Sequence, residues 1–203
     1  MSKAFNPQDF YFRRAKEQGF RARSAFKLEE LQKRFRLLKP GQNVVDVGCA
    51  PGSFLQYAAT IVGPEGKLVG FDIKSVANLG RANIVTYVAD VLQDDLISLI
   101  KKSFSIADII VSDIAPNTSG IKDVDHGRSI QLNRAIIAIA STVLRNGGNV
   151  VLKVFDGREF PVFLKELETM YELVKVVKPE ASRDRSREVY VVCMRKKNLE
   201  TKS

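Results

Sequence analysis

The stretch "NVVDVGCAPGSF", residues 43–54, decides how the rest of the chain is read. It opens on β-branched residues, turns through two glycines and a proline, and continues into "SFLQYAATIV" (53–62), which suits a helix. A short buried strand, a glycine loop and a helix begin an open α/β sheet, and such sheets bind ligands at the carboxyl edge of their strands. Gly48 and Gly52 permit close backbone approach, and Pro51 stiffens the turn. The loop carries neither the G-x-G-x-x-G of dinucleotide sites nor the G-K-[ST] of a P-loop.

Working outward, "KLVGFDI" (67–73), "NIVTYVAD" (83–90) and "IADIIVSD" (106–113) read as further strands, with a short helix over 93–102. The spacing in "RSIQLNRAIIAIASTVLRN" predicts a long helix over 128–146, closed by Gly147 and Gly148 as a left-handed cap. "NVVLKVFDG" (149–157) is a fifth strand with Lys153 set where a core side chain is expected. After a helix near 159–170, "YELVKVVKP" and "REVYVVCMR" are separated only by "EASRDRS", too short for a helical crossover, so they form an antiparallel hairpin. The expected fold is α/β and Rossmann-like, a seven-stranded, mostly parallel sheet with one antiparallel strand and helices on both faces.

Upstream, Leu28, Leu31, Phe35 and Leu38 recur at helical spacing, which predicts an amphipathic helix over 24–37 laid on the sheet with Lys27 at its edge. The 203 residues are expected to form one domain: a basic helical segment (1–40), a core (41–195) and a tail (196–203).

Residues 1–40 hold eleven Lys or Arg against four Asp or Glu, which is +7 of the chain's +9. Phe5, Phe10, Tyr11, Phe12, Phe20, Phe26 and Phe35 alternate with these charges, a mixture that suits phosphate pairing and base stacking or, equally, an amphipathic helix packing its aromatics inward. The longest uncharged apolar run, "AIIAIASTVL" (135–144), is about half what a bilayer crossing needs. The N-terminus has no apolar signal segment, so a cytoplasmic protein without a membrane partner is expected. Cys49 and Cys193 lack metal-ligand spacing, so no metal is expected, and His126 in "KDVDHGRS" reads as a solvated loop histidine.

Asp46 at the first strand end would repel a pyrophosphate but suits a ligand bearing an ammonium or sulfonium. Asp72 is placed for ribose hydroxyls and Asp90 for an adenine amino group. Three acids at three consecutive strand ends, with a glycine loop at the first, look like an S-adenosylmethionine site.

The motifs "RARSAFKLEEL", "VVDVGCAPGSF", "SDIAPNTSG", "VVLKVFDG" and "SREVYVV" occur in that order, and through them the chain resembles the FtsJ-like family of S-adenosylmethionine-dependent RNA ribose 2'-O-methyltransferases over about residues 8–195. The resemblance implies a catalytic tetrad at Lys27, Asp113, Lys153 and Glu188. It implies cofactor contacts at Asp46, Gly48, Pro51, Gly52, Phe54, Asp72, Asp90 and Asp113. "GSF" stands where many members have "GGW", and "KDVDHGRS" diverges from the family. Asp113 and Lys153 end parallel strands while Glu188 begins the reversed one, so all three should converge at one sheet edge, with Lys27 entering from the covering helix.

A ribose 2'-hydroxyl is a weak acid that needs activation and aiming. Lys153 is therefore read either as a neutral general base or as a charged stabiliser of developing alkoxide. The implied substrate is RNA, a uridine of large-subunit ribosomal RNA within its subunit, with a transfer RNA anticodon loop or a messenger RNA cap as the alternative. Arg13, Arg14, Arg21 and Arg23, joined by Arg183, Arg185 and Arg187, are the expected phosphate contacts. A noncatalytic RNA-binding assembly factor would have no use for the tetrad, and the missing G-x-G-x-x-G disfavours a nicotinamide oxidoreductase. Nothing in the sequence requires more than a monomer.

Overall fold

In the computed structural model, residues 7–182 and 186–198 are described. The strands are β1 (Val44–Val47), β2 (Leu68–Asp72), β3 (Ile84–Val88), β4 (Ala107–Ser112), β5 (Leu144–Phe155), β6 (Tyr171–Val177) and β7 (Glu188–Lys196). The helices are α1 (Pro7–Glu17), α2 (Ala25–Phe35), α3 (Ser53–Val62), α4 (Leu96–Lys101), α5 (Lys122–Val143) and α6 (Phe160–Met170). The strands form one sheet in the order β3-β2-β1-β4-β5-β7-β6. β1 to β5 run parallel, and β7 is inserted antiparallel between β5 and β6. The chain order reverses between β1 and β4, and open sheets present their ligand crevice at such a point.

Side chains alternate along each strand, so the two faces of the sheet make separate cores. Val45, Val47, Leu152 and Val154 pack beneath α4, α5 and α6, through Ile100, Ile136 and Phe163 among others. Val44, Val111, Val151 and Tyr190 pack on the opposite face, beneath Leu28 and Leu31 of α2 and Leu55 of α3. The same alternation turns Asp46 and Lys153 toward the α2 face. Burying a Val or Leu contributes roughly 1.5–3 kcal/mol, whereas an ionisable group in the same place is costly unless partnered. Local rules of stability are broken at those two positions, and that is where a site is expected.

The structure departs from the sequence reading around α5. The helix starts at Lys122 and ends at Val143, and Leu144 is already extended. Gly147 and Gly148 are therefore not its cap; they lie in an irregular stretch of β5, where Ala107 pairs with Leu144 but Ile109 pairs with Asn149. The end of α5 is closed from outside, because Lys196 Nζ donates to the carbonyls of Ala140, Ser141 and Leu144 at 3.1, 2.7 and 2.9 Å. His126 is correspondingly not a solvated loop residue. It sits in the second turn of α5 and is 3% exposed.

Candidate active site

Gly48 brings the strand ends together at the switch point. Its backbone has φ +80°, and a Cβ there would lie 2.7 Å from Ile114 Cα. Only glycine lets the loop leaving β1 pass the loop leaving β4 at that distance. Beside it opens a cleft of about 680 Å³ whose lining includes Gly48, Asp72, Asp90, Leu92, Asp113 and Pro116.

Asp46 lies behind this cleft, fully buried, and neither carboxylate oxygen has a hydrogen-bond partner. Burial above all, and then the neighbouring Asp113 and Asp72, hold its carboxyl well above the usual carboxylate range. Asp72 accepts from the Ala50 and Lys74 main-chain N–H groups, each at 2.9 Å, so it shapes the loop as well as facing the cleft. Asp90 accepts from Leu92 N and Gln93 Nε2 in the same way. Carboxylate oxygens have lone pairs beyond those used. A buried acid lacking partners and two acids at the rim fit a cationic ligand carrying polar donors.

The expected cofactor residues do not all meet the cleft. Gly48, Asp72, Asp90 and Asp113 line it. Gly52 instead faces Leu79 and Val76, and Phe54 is 2% exposed in the core beneath α2 and α3. Pro51 is held through its carbonyl, which accepts from Arg21 Nη1 at 3.0 Å.

Lys27, Asp113, Lys153 and Glu188 come together at one corner of this edge. Lys153 Nζ lies 2.9 Å from Asp113 Oδ1 and also donates to the Asp113 main-chain carbonyl. Lys27 Nζ donates to Glu188 Oε1 and lies 3.8 Å from Asp113 Oδ1. Both lysines are 7% exposed. Strand register places Lys153 and Glu188, since Phe155 pairs with Glu188 and Lys153 with Tyr190, while Lys27 comes from α2.

Tyr190 is the member that the sequence reading missed. Its hydroxyl donates to Asp113 Oδ1, and Lys27 Nζ lies 5.5 Å from its ring centre. Strand alternation carried the signal, since Tyr190 stands two residues after Glu188 on the same face. Burial, reinforced by Asp113 and Glu188, pushes its hydroxyl well above the usual tyrosine range. The cleft lining also includes Asn117, Arg128 and Gln131, none of which is among the site residues expected from the sequence.

The expected RNA contacts divide. Arg13 and Arg187 are exposed. Arg14 pairs with Glu29 at 3.1 Å and lies over the Phe26 ring. Arg21 donates to the carbonyls of Pro51, Ala77 and Asn78, tying the N-terminal segment to the cleft loops. Arg23 is half-buried. Arg183 and Arg185 lie outside the described residues. Among the aromatics, Phe26 is buried, Phe10 and Phe12 are 42% and 67% exposed, and Phe5 is outside the described residues.

The profile of the FtsJ-like methyltransferase family matches residues 20–196. The chain belongs to the FtsJ-like methyltransferase family. Curated relatives in that family include the ribosomal RNA large subunit methyltransferase E of Myxococcus xanthus, 44% identical over 97% of this chain and 93% of its own. The protein of the same name from Methanothrix thermoacetophila is 42% identical over 93% of this chain and 73% of its own. Among solved structures, a Plasmodium falciparum protein assigned as a ribosomal RNA methyltransferase superposes with a TM-score of 0.77 at 27% identity, covering 87% of this chain and 98% of that one. Like its FtsJ-like relatives, the protein is a methyltransferase. Among the described residues, no helix is long and apolar enough to cross a membrane.

Proposed function

We propose that the protein methylates a ribose 2'-hydroxyl of RNA with S-adenosylmethionine as donor, the target being a uridine of large-subunit ribosomal RNA, and that it acts as a cytoplasmic monomer. The observation that carries this reading is the joining of Lys27, Asp113, Lys153 and Glu188 into one polar network beside a cleft lined by Asp72 and Asp90. The curated relatives' activity on large-subunit ribosomal RNA supports the choice of substrate.

Asp46 would counter the cofactor's positive charge, Asp72 would take ribose hydroxyls and Asp90 an adenine amino group. When bound, S-adenosylmethionine supplies an electrophilic methyl group on a sulfonium. The chain's own residues must hold and activate the acceptor oxygen. Lys153 Nζ has three positions, and Asp113 occupies two of them through its side chain and main chain. The third is left for the 2'-oxygen. There Nζ either accepts the hydroxyl proton as a neutral amine or donates to developing alkoxide as an ammonium. Asp113 fixes the lysine, while Lys27 and Glu188 hold each other at the edge where the ribose enters. Exposed Arg13 and Arg187, with basic residues of the segment 1–40, would meet phosphates.

The test is transfer of labelled methyl groups from S-adenosylmethionine to large ribosomal subunits lacking their modifications, comparing the intact protein with Lys153→Ala. Label should appear as 2'-O-methyluridine and fall by at least about a hundredfold in the variant. Cofactor binding without any transfer to ribosomal RNA would exclude this substrate. Transfer unaffected by the variant would exclude the role of Lys153.

A further inference from the structure

Helix α5 packs on the sheet through Ile130, Ile136 and Ile137, yet the same helix buries His126, Ser129 and Asn133 at 3%, 2% and 0% exposure. These positions follow a helical spacing, so they form one stripe. Buried polar groups are costly without partners, and although Asn133 Oδ1 has no hydrogen-bond partner, each of the three side chains makes a hydrogen bond to the main chain between Lys153 and Glu159. Asn133 Nδ2 donates to the Lys153 carbonyl at 2.9 Å. Phe155 N donates to Ser129 Oγ at 3.1 Å. His126 Nδ1 donates to the Phe155 carbonyl at 2.7 Å, and Nε2 accepts from Glu159 N at 2.9 Å. A carbonyl cannot donate and a main-chain N–H cannot accept, so the partners fix the ring as neutral with its proton on Nδ1.

The sheet explains why the helix must do this. β5 pairs with β4 only as far as Leu152, opposite Ser112, whereas its pairing with β7 continues to Phe155. Beyond Leu152 the β4 side of the strand has no neighbouring strand, because the chain after Ser112 turns away and borders the cleft. Lys153 is the first residue past that point.

We infer that the α5 stripe of His126, Ser129 and Asn133 replaces the missing strand and positions Lys153 for methyl transfer, an inference that rests on the reading of Lys153 given above. Lys153 is held at both ends, its carbonyl by Asn133 and its Nζ by Asp113. Two residues on, Phe155 is held by Ser129 and His126 while pairing with Glu188, so the stripe also sets the register of a second tetrad member. Space around the ring is closed as well. A Cβ at Gly157 would lie 2.5 Å from His126 Cγ, so residue 157 must lack a side chain for the histidine to stay seated.

The two bonds of His126 can be separated by substitution. His126→Asn keeps a donor near Nδ1 for the Phe155 carbonyl, and His126→Gln keeps an acceptor near Nε2 for Glu159. Steady-state methyl transfer would be measured for both, for Asn133→Leu and for Gly157→Ala, well below each melting temperature. The expected result is a fall in kcat on the order of tenfold to a hundredfold in Asn133→Leu, Gly157→Ala and His126→Gln, with KM for RNA and for S-adenosylmethionine unchanged. His126→Asn should retain most of kcat. Lowered melting temperatures with kcat intact would reduce the stripe to a structural role and overturn the inference. Should Asn133→Leu fail to fold, the contrast between the two His126 variants decides alone, and equal kcat in both would also overturn it. Absence of transfer by the wild-type protein would instead remove the functional reading, which Lys153→Ala tests separately.

Discussion

Tyr190 donates a hydrogen bond to Asp113 Oδ1, the same carboxylate oxygen that lies 2.9 Å from Lys153 Nζ. One atom thus receives both the lysine and the phenol, and Lys27 stands 3.8 Å from it on the third side. Because burial and the adjacent acids hold the Tyr190 hydroxyl well above its usual range, it keeps its proton at working pH and acts only as a donor. Tyr190→Phe removes that donor and leaves the ring packing. A hydrogen bond to a charged acceptor contributes about 1.5–3 kcal/mol, so kcat should fall on the order of tenfold as Asp113 loosens. Cofactor affinity, measured by calorimetry, should not change. Unaltered kcat would show that Lys153 alone fixes Asp113.

Asp46 predicts a pH dependence. Its carboxyl is raised in the folded protein, so between the ordinary carboxylate range and that raised value the folded state binds more protons than the unfolded state. The stability of the ligand-free protein must therefore decrease as pH rises through that window, with the full penalty present above it. Asp46→Asn lacks this term. Its melting temperature should match wild type in acid and exceed it increasingly toward neutral pH, while its affinity for S-adenosylmethionine falls on the order of tenfold. A melting difference that does not vary with pH would mean that Asp46 is not the titrating group.

Much of this arrangement was legible in the sequence, because strand ends are set by local pattern. β-branched runs broken by Gly48 and Asp113 placed the glycine loop and the acids at one edge, and the short "EASRDRS" connection gave the reversed strand that carries Glu188. The end of α5 was not legible, since its cap comes from Lys196, more than fifty residues away. His126 was misread for a related reason. Its partners, Phe155 and Glu159, are supplied by tertiary packing, and a polar stretch next to a glycine gives no local sign of that burial.

Arg21 and Arg187 should behave differently although both were expected at RNA. Arg21 is committed to the carbonyls of Pro51, Ala77 and Asn78, and so bears on the glycine loop proposed to hold the cofactor. Arg21→Ala should weaken S-adenosylmethionine binding severalfold and leave the salt dependence of RNA binding unchanged. Exposed Arg187 precedes Glu188 at the site's edge. Arg187→Ala should lower RNA affinity and reduce the slope of log K against log salt by about 1. Filter binding across a salt series checks both, and a reduced slope for Arg21→Ala would show that its guanidinium leaves the carbonyls to meet phosphate.

Lys196 offers a variant that should alter stability without altering catalysis. Its Nζ donates to the carbonyls of Ala140, Ser141 and Leu144 where α5 ends, and its half-buried position lowers its tendency to hold a proton. Lys196→Met keeps the aliphatic stem and removes the cap. With no glycine at C' to take over, the loss should be about 1–2 kcal/mol, seen as a melting temperature lower by roughly 2–8 °C for a chain of this size. The groups proposed to carry the reaction sit at the opposite end of α5, where residues 126, 129 and 133 meet β5, so kcat well below the melting temperature should be that of wild type. A loss of kcat at unchanged stability would mean that fraying of the helix's C-terminal end reaches its first turns, and the positioning role of α5 would then extend along its whole length.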